Sequence, residues 1–184
     1  MNEIEVKGIL DKYMVKLIKE LSDSTPWSIS EYFRDNRTRE EYLYDLLDGQ
    51  IIEELVCLWF NSNGCKAERI GCDANGMVRR SMQNKITTEP DIVVNNNKLE
   101  IQISRNGLRR YYHIKKNKGD RILKGLNKLM FIVNDSYFII GPDDINIHDK
   151  EMNYFYGGKE TYVIKPDKYK INKFSDKNVL MYTK

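Results

Sequence analysis

The sequence predicts an α/β domain built on a mixed sheet, and three patterns carry that prediction. The first sixty residues place apolar side chains at helical spacing. Residues 90–104 and 129–140 each read as a pair of short strands. Between the two pairs, residues 105–128 form a basic stretch that is too long for a hairpin loop and has helical character.

The elements follow in order. Val6, Ile9, Leu10, Tyr13, Leu17 and Leu21 recur every three or four residues, so the chain opens with a helix, broken at Ser24-Thr25-Pro26. A second helix gains its apolar stripe from about Asp48, through Ile51, Ile52, Leu55, Val56, Trp59 and Phe60. It should stop before Asn63-Gly64. Residues 67–72 and 76–81 are weak strand candidates. Residues 90–95 and 98–104 are clear ones. In the basic stretch a break is expected at Gly119, with Asp120 capping a second helical piece. Residues 129–133 and 137–140 pair through a turn at Asn134-Asp135-Ser136, and Gly157-Gly158 marks a further hairpin. The expectation is one domain of 184 residues, with an N-terminal helical arm (1–47), a core (48–140) and a β-rich tail (141–184).

Composition excludes several classes. Hydrophobic residues make up 41% and aromatics 11%, with 11 Gly and 4 Pro, which argues against disorder. No apolar run reaches the roughly 18–20 residues of a bilayer span, and the acidic N-terminus lacks the character of a signal peptide. The expected location is therefore cytoplasmic. Cys57, Cys65 and Cys72 form no C-x-x-C, and His113 and His148 are the chain's only histidines, so a disulfide framework or zinc site is not expected. The thiols read as structural. Any metal must be held by carboxylates, which favours a hard ion such as Mg²⁺.

Residues 98–104 carry the chemistry. Leu99, Ile101 and Ile103 alternate with Glu100, Gln102 and Ser104, so the strand has two chemically opposite faces. A two-residue turn at Asn96-Asn97 would set Val94 opposite Leu99 and Asp91 opposite Gln102. Asp91 would then be diagonal to Glu100, about 7–8 Å away, close enough for two carboxylates to share one cation. A different turn length would shift this register.

Pro90-Asp91, eight residues, then Glu100-x-Gln102, following an acidic helix, resembles the PD-(D/E)XK nuclease superfamily. The resemblance covers residues 50–133 and implies the restriction-endonuclease-like αβββαβ core with a mixed central sheet. It implies Asp91 and Glu100 as metal ligands, joined by the carbonyl of Ile101. A helical glutamate, Glu53 or Glu54 ahead of Gly64, would complete the site, with Glu53 preferred. Mg²⁺, with Mn²⁺ as a substitute, is the implied cofactor, and double-stranded DNA the implied partner of a homodimer. Gln102 stands where the family usually has Lys. An amide brings neither a base nor a positive charge. A second metal ion, or a lysine from the following helix (Lys115, Lys116 or Lys118), would have to supply that charge.

The net charge of +3 conceals a strong polarity. Residues 105–128 contain nine Lys/Arg against Asp120 alone, a segment of +8 that leaves −5 for the rest. A one-sign cluster beside the candidate metal strand suits a phosphate backbone. Arg105, Arg109, Arg110, Lys115, Lys116, Lys118 and Arg121 are the DNA-binding candidates, with Arg79 and Arg80 as a smaller pair. Tyr111 and Tyr112 read as packing residues. The expected activity is a type II restriction endonuclease. A homing endonuclease or junction-selective nuclease of the same fold is the alternative within enzymes, and a catalytically silent DNA-binding module the alternative outside them.

Overall fold

The computed structural model describes residues 3–22, 38–70, 90–105, 107–153 and 158–174. It divides into two compact units, Met1–Asp91 and Ile92–Lys184.

In the first unit, helix α1 (Glu3–Ser22) packs on α2 (Arg39–Ser62). Tyr13, Leu43 and Leu47 are buried at this contact, with Ile9, Leu17 and Ile51 around them. Helix α2 begins at Arg39, nine residues before its apolar stripe sets in near Asp48. Its start is sealed by a capping box in which the Glu41 amide donates to Thr38 Oγ1 and the Thr38 amide donates to Glu41 Oε2. It ends where expected, ahead of Asn63 and a left-handed Gly64 at φ 81°. Strand β1 (Ala67–Arg69) is shorter than the predicted 67–72. The Asn61 side chain grips both backbone groups of Ala67. The 76–81 strand candidate, Arg79, Arg80 and Cys72 lie outside the described residues.

The second unit holds β2 (Ile92–Val94), β3 (Asn97–Ser104), β4 (Tyr112–Lys115), α3 (Lys116–Leu123), β5 (Lys128–Val133) and β6 (Ser136–Ile140). These are followed by β7 (Lys150–Asn153), β8 (Lys159–Ile164) and β9 (Asn172–Lys173). Strands β2, β3, β5, β6 and β9 are neighbours in that order in a mixed sheet, with β3 and β5 parallel and the other pairs antiparallel. A smaller antiparallel sheet runs β4-β8-β7. The predicted mixed α/β class is the observed one. The segment after residue 141 is woven into this unit: β8 pairs with β4, and β9 pairs with β6.

Two corrections concern local geometry. The β2–β3 turn is Asn95-Asn96, with φ of 47° and 67°, not Asn96-Asn97. Ile92, not Val94, therefore faces Leu99. Residues 112–115 form a strand where helical character was expected, because Tyr112 and Ile114 turn inward while Lys115 turns out. Helix α3 then runs through Gly119 without a break, and Gly119 is buried inside it.

Between the larger sheet and α3 with the small sheet lies one apolar core. Leu129, Phe131, Val133, Phe138 and Ile140 meet Ile122, Tyr112, Ile114, Tyr162 and Ile164 there. No described helix is long and apolar enough to cross a membrane.

Candidate functional site

Glu100 sits on β3 at the margin of this core, with only 5% of its surface exposed. A buried carboxylate must be paired or bear a large desolvation cost. Three donors meet it. Lys118 Nζ lies 2.8 Å from Oε2, Arg121 donates to Oε1 at 3.2 Å, and Asn127 Nδ2 donates to Oε1 at 3.0 Å. Lys118 and Arg121 are three residues apart and so share one face of α3. Of the three candidate lysines, Lys118 is the one at Glu100. Lys116 pairs with Asp120 instead at 3.0 Å, and Lys115 is exposed at the end of β4. Asn127 escaped the sequence reading. Its Oδ1 is buried without a hydrogen-bond partner, next to an acid that it helps to hold.

The docking of α3 fixes these cations. Gly119 presses against the Tyr162 ring on β8 so closely that a Cβ would overlap it. The Tyr162 hydroxyl donates to Asp120 at 2.6 Å. That bond first, and Lys116 second, hold the Asp120 carboxyl below its ordinary value. Burial, reinforced by Asp120, pushes Tyr162 up to about 12.

Gln102 lies two residues beyond Glu100, about 6.6 Å further along the strand on the same face. It opens a cleft of about 450 Å³ lined by Arg105, Arg109, Arg110, His113 and Asn153, among others. The three predicted arginines thus converge. Their loop is tied down from below: the Tyr112 hydroxyl donates to the Gly107 carbonyl at 3.1 Å and accepts from the Arg109 amide at 3.0 Å. Ser104 Oγ donates to the same carbonyl. Tyr112 itself packs on Phe131, with centroids 4.9 Å apart. Tyr111 departs from its predicted packing role. It is half exposed, edge-on to His113 at 5.5 Å.

Glu53, the preferred helical carboxylate, lies in the first unit and is engaged by Arg69 through Nε at 3.1 Å and a terminal nitrogen at 2.7 Å. Glu54 takes Lys12 at 2.8 Å and the Tyr13 hydroxyl at 2.8 Å, and Arg69 also donates to that hydroxyl. Burial works to raise the Glu54 pKa, but the Lys12 and Tyr13 bonds and the Lys12 and Arg69 charges outweigh it, so it lies below its ordinary value. Asp91 is half-buried, and its carbonyl accepts from the Ile70 amide. Ile101 is buried on β3. Among the described residues, no three His, Cys, Asp or Glu side chains converge as a ready metal cluster. Cys57 and Cys65 are buried free thiols, and burial pushes Cys57 up to about 12.

No protein-family model matches the chain, and no curated protein does. Among solved structures, the chain is similar to a Holliday junction resolvase from the archaeal hyperthermophile Archaeoglobus fulgidus. The identity is 12% and the TM-score 0.41, over 64% of this chain and 87% of that one.

Proposed function

We propose that the chain is a metal-dependent endonuclease of the PD-(D/E)XK type that hydrolyses DNA phosphodiester bonds at Glu100. The observation that carries this reading is a buried strand carboxylate, held by two cations of the next helix, one strand repeat from a cleft lined by three arginines. Acid and anion-binding surface then stand side by side, as hydrolysis of a charged backbone requires.

The donor types suit a hard divalent ion. Glu100 offers carboxylate oxygens and Ile101 a carbonyl. Asp91 is the second carboxylate of this reading. Bound there, Mg²⁺ or Mn²⁺ supplies Lewis acidity toward a phosphoryl oxygen and toward an attacking water. Lys118 brings the positive charge that Gln102 lacks, while Gln102 orients water or a phosphate oxygen by hydrogen bonding. Arg105, Arg109 and Arg110 hold backbone phosphates, where a planar guanidinium binds two oxygens at once. The substrate in this reading is a specific duplex site, cut by a homodimer in the manner of a type II restriction endonuclease.

One observation favours a second reading, a silent DNA-binding module: Glu100 already has its charge compensated by Lys118 and Arg121. Incubation with phage DNA and Mg²⁺ separates the two. Discrete fragments support the site-specific nuclease. Rare cuts indicate homing, and cleavage confined to four-way junctions indicates a structure-selective enzyme. Salt-dependent binding without cleavage under any divalent metal leaves the silent module.

A further inference from the structure

His113, on β4, lines the cleft beside Arg105, Arg109 and Arg110. Its Nδ1 lies 2.9 Å from Thr161 Oγ1 on β8. Thr161 is fully buried, and its hydroxyl donates to the Glu151 carbonyl on β7 at 3.0 Å. A carbonyl oxygen only accepts, so the single hydroxyl proton is spent on Glu151. Thr161 Oγ1 then accepts from the ring, and His113 Nδ1 carries a proton. In the neutral imidazole this leaves Nε2 as a bare lone pair. The two ring nitrogens face nearly opposite ways, so Nε2 turns away from the buried Thr161 and toward the cleft. Among the described residues it meets no hydrogen-bond partner. Tyr111 stands edge-on to the imidazole, with centroids 5.5 Å apart, and confines it from the side.

Protonation decides what this nitrogen can bind. A neutral ring sets its lone pair against a phosphate oxygen. A ring protonated at Nε2 donates to that oxygen in a charge-assisted bond, while Nδ1 keeps its bond to Thr161. A phosphodiester seated among the three arginines therefore selects the imidazolium. An imidazole ordinarily changes charge between about pH 5 and pH 8, so the selection operates near neutrality. Strand alternation places four other charged residues on this face. Lys115 follows His113 by two on β4, and Lys165 follows Val163 by two at the end of β8. Glu151 stands opposite Thr161, and the Asp149 carbonyl accepts from the Val163 amide. These two cations and two anions add no net charge, which leaves the arginines to set the field at the ring.

We infer that His113 is a proton-linked phosphate clamp: DNA bound in the arginine cleft takes up one proton at Nε2, so affinity rises as pH falls. The proton comes from solvent, one N–H···O bond forms, and no covalent bond between heavy atoms changes. The inference deepens the nuclease reading and rests on its assignment of the cleft to backbone phosphates, but not on cleavage.

A short fluorescent duplex titrated in chelator reads binding apart from cleavage. Wild-type affinity should rise about tenfold from about pH 8 to about pH 6. The His113→Gln amide can still bond to Thr161 but takes up no proton, so this variant should flatten the rise. His148→Gln should leave it in place. Imidazole nitrogen NMR gives the direct signature, simplified by a chain with only two histidines. At high pH the free ring should carry its single proton on Nδ1. In the DNA complex, the change to a doubly protonated ring should move to higher pH. Affinity independent of pH, a rise that survives His113→Gln, or a ring whose titration DNA leaves unmoved would overturn the inference. So would a free ring protonated on Nε2. Cleavage accompanied by pH-independent binding would overturn the clamp alone. Proton-linked binding without cleavage under any divalent metal would overturn the nuclease reading and support the clamp.

Discussion

Lys118 Nζ lies 2.8 Å from Glu100 Oε2, joining α3 to β3 across a margin of the core where the acid is nearly inaccessible. A divalent ion approaching Glu100 meets the positive charges of Lys118 and Arg121. DNA phosphates that draw those cations away would open the acid to metal, so the two ligands should favour each other's binding. Lys118→Ala is expected to lower the single-turnover cleavage rate about a hundredfold. It should also raise Mn²⁺ affinity of the DNA-free protein by about tenfold, read by calorimetry. Gln102→Lys in that background should restore part of the rate. Unchanged metal affinity would show that the pair has no influence on the ion.

The arginine cleft predicts a graded salt response. Arg109→Ala or Arg110→Ala should each reduce the slope of log K against log salt by about one. Lys116→Ala should change it less, because that ammonium pairs with Asp120. Tyr112→Phe removes the hydroxyl that ties Gly107 to Arg109, and should weaken DNA binding while costing about 1 kcal/mol of stability.

Gly119 sets how closely α3 approaches β8. Gly119→Ala inserts a methyl into the Tyr162 ring and should destabilise the protein by about 1–3 kcal/mol in urea denaturation. A neutral result would mean that the helix can retreat from the sheet at little cost.

Acid should loosen the contact between α1 and α2. Glu54 titrates below its ordinary value of 4.5 in the folded state. A depressed carboxylate adds stability that is fully present above the unfolded value and lost as pH falls through the folded one. Thermal stability should therefore decline as pH falls below about 4.5. Glu54→Gln should lower stability at neutral pH and flatten that decline.

The strand pattern of residues 98–104 was legible because a period of two survives in a short segment. The register of its hairpin was not. Asn95, Asn96 and Asn97 all tolerate positive φ, so two adjacent turns compete on equal local terms. The start of α2 is written in Thr38 and Glu41, a capping box that stands ahead of the stronger apolar stripe after Asp48. In residues 105–128 the density of charge masked the alternation of Tyr112 and Ile114. Their partner strand, β8, lies almost fifty residues away, beyond any local signal. The same holds for the ion pairs of Glu100. Lys118 and Arg121 reach it across a turn of strand and helix, and no periodicity encodes that meeting. That Gln102 leaves a charge to be supplied, by a second metal ion or a nearby lysine, followed from its chemistry alone. Which lysine stands at Glu100 followed only from the fold.

The central claim is that Glu100 lies at the centre of a metal-dependent DNA-cleaving site, and one comparison tests it most directly. Wild type and Glu100→Gln are incubated with supercoiled DNA and Mg²⁺, with salt-dependent DNA binding measured in parallel. Wild type should cleave, and the substitution or chelation should abolish cleavage while DNA binding is retained. Full cleavage by Glu100→Gln, or wild-type cleavage that persists in chelator, would contradict it.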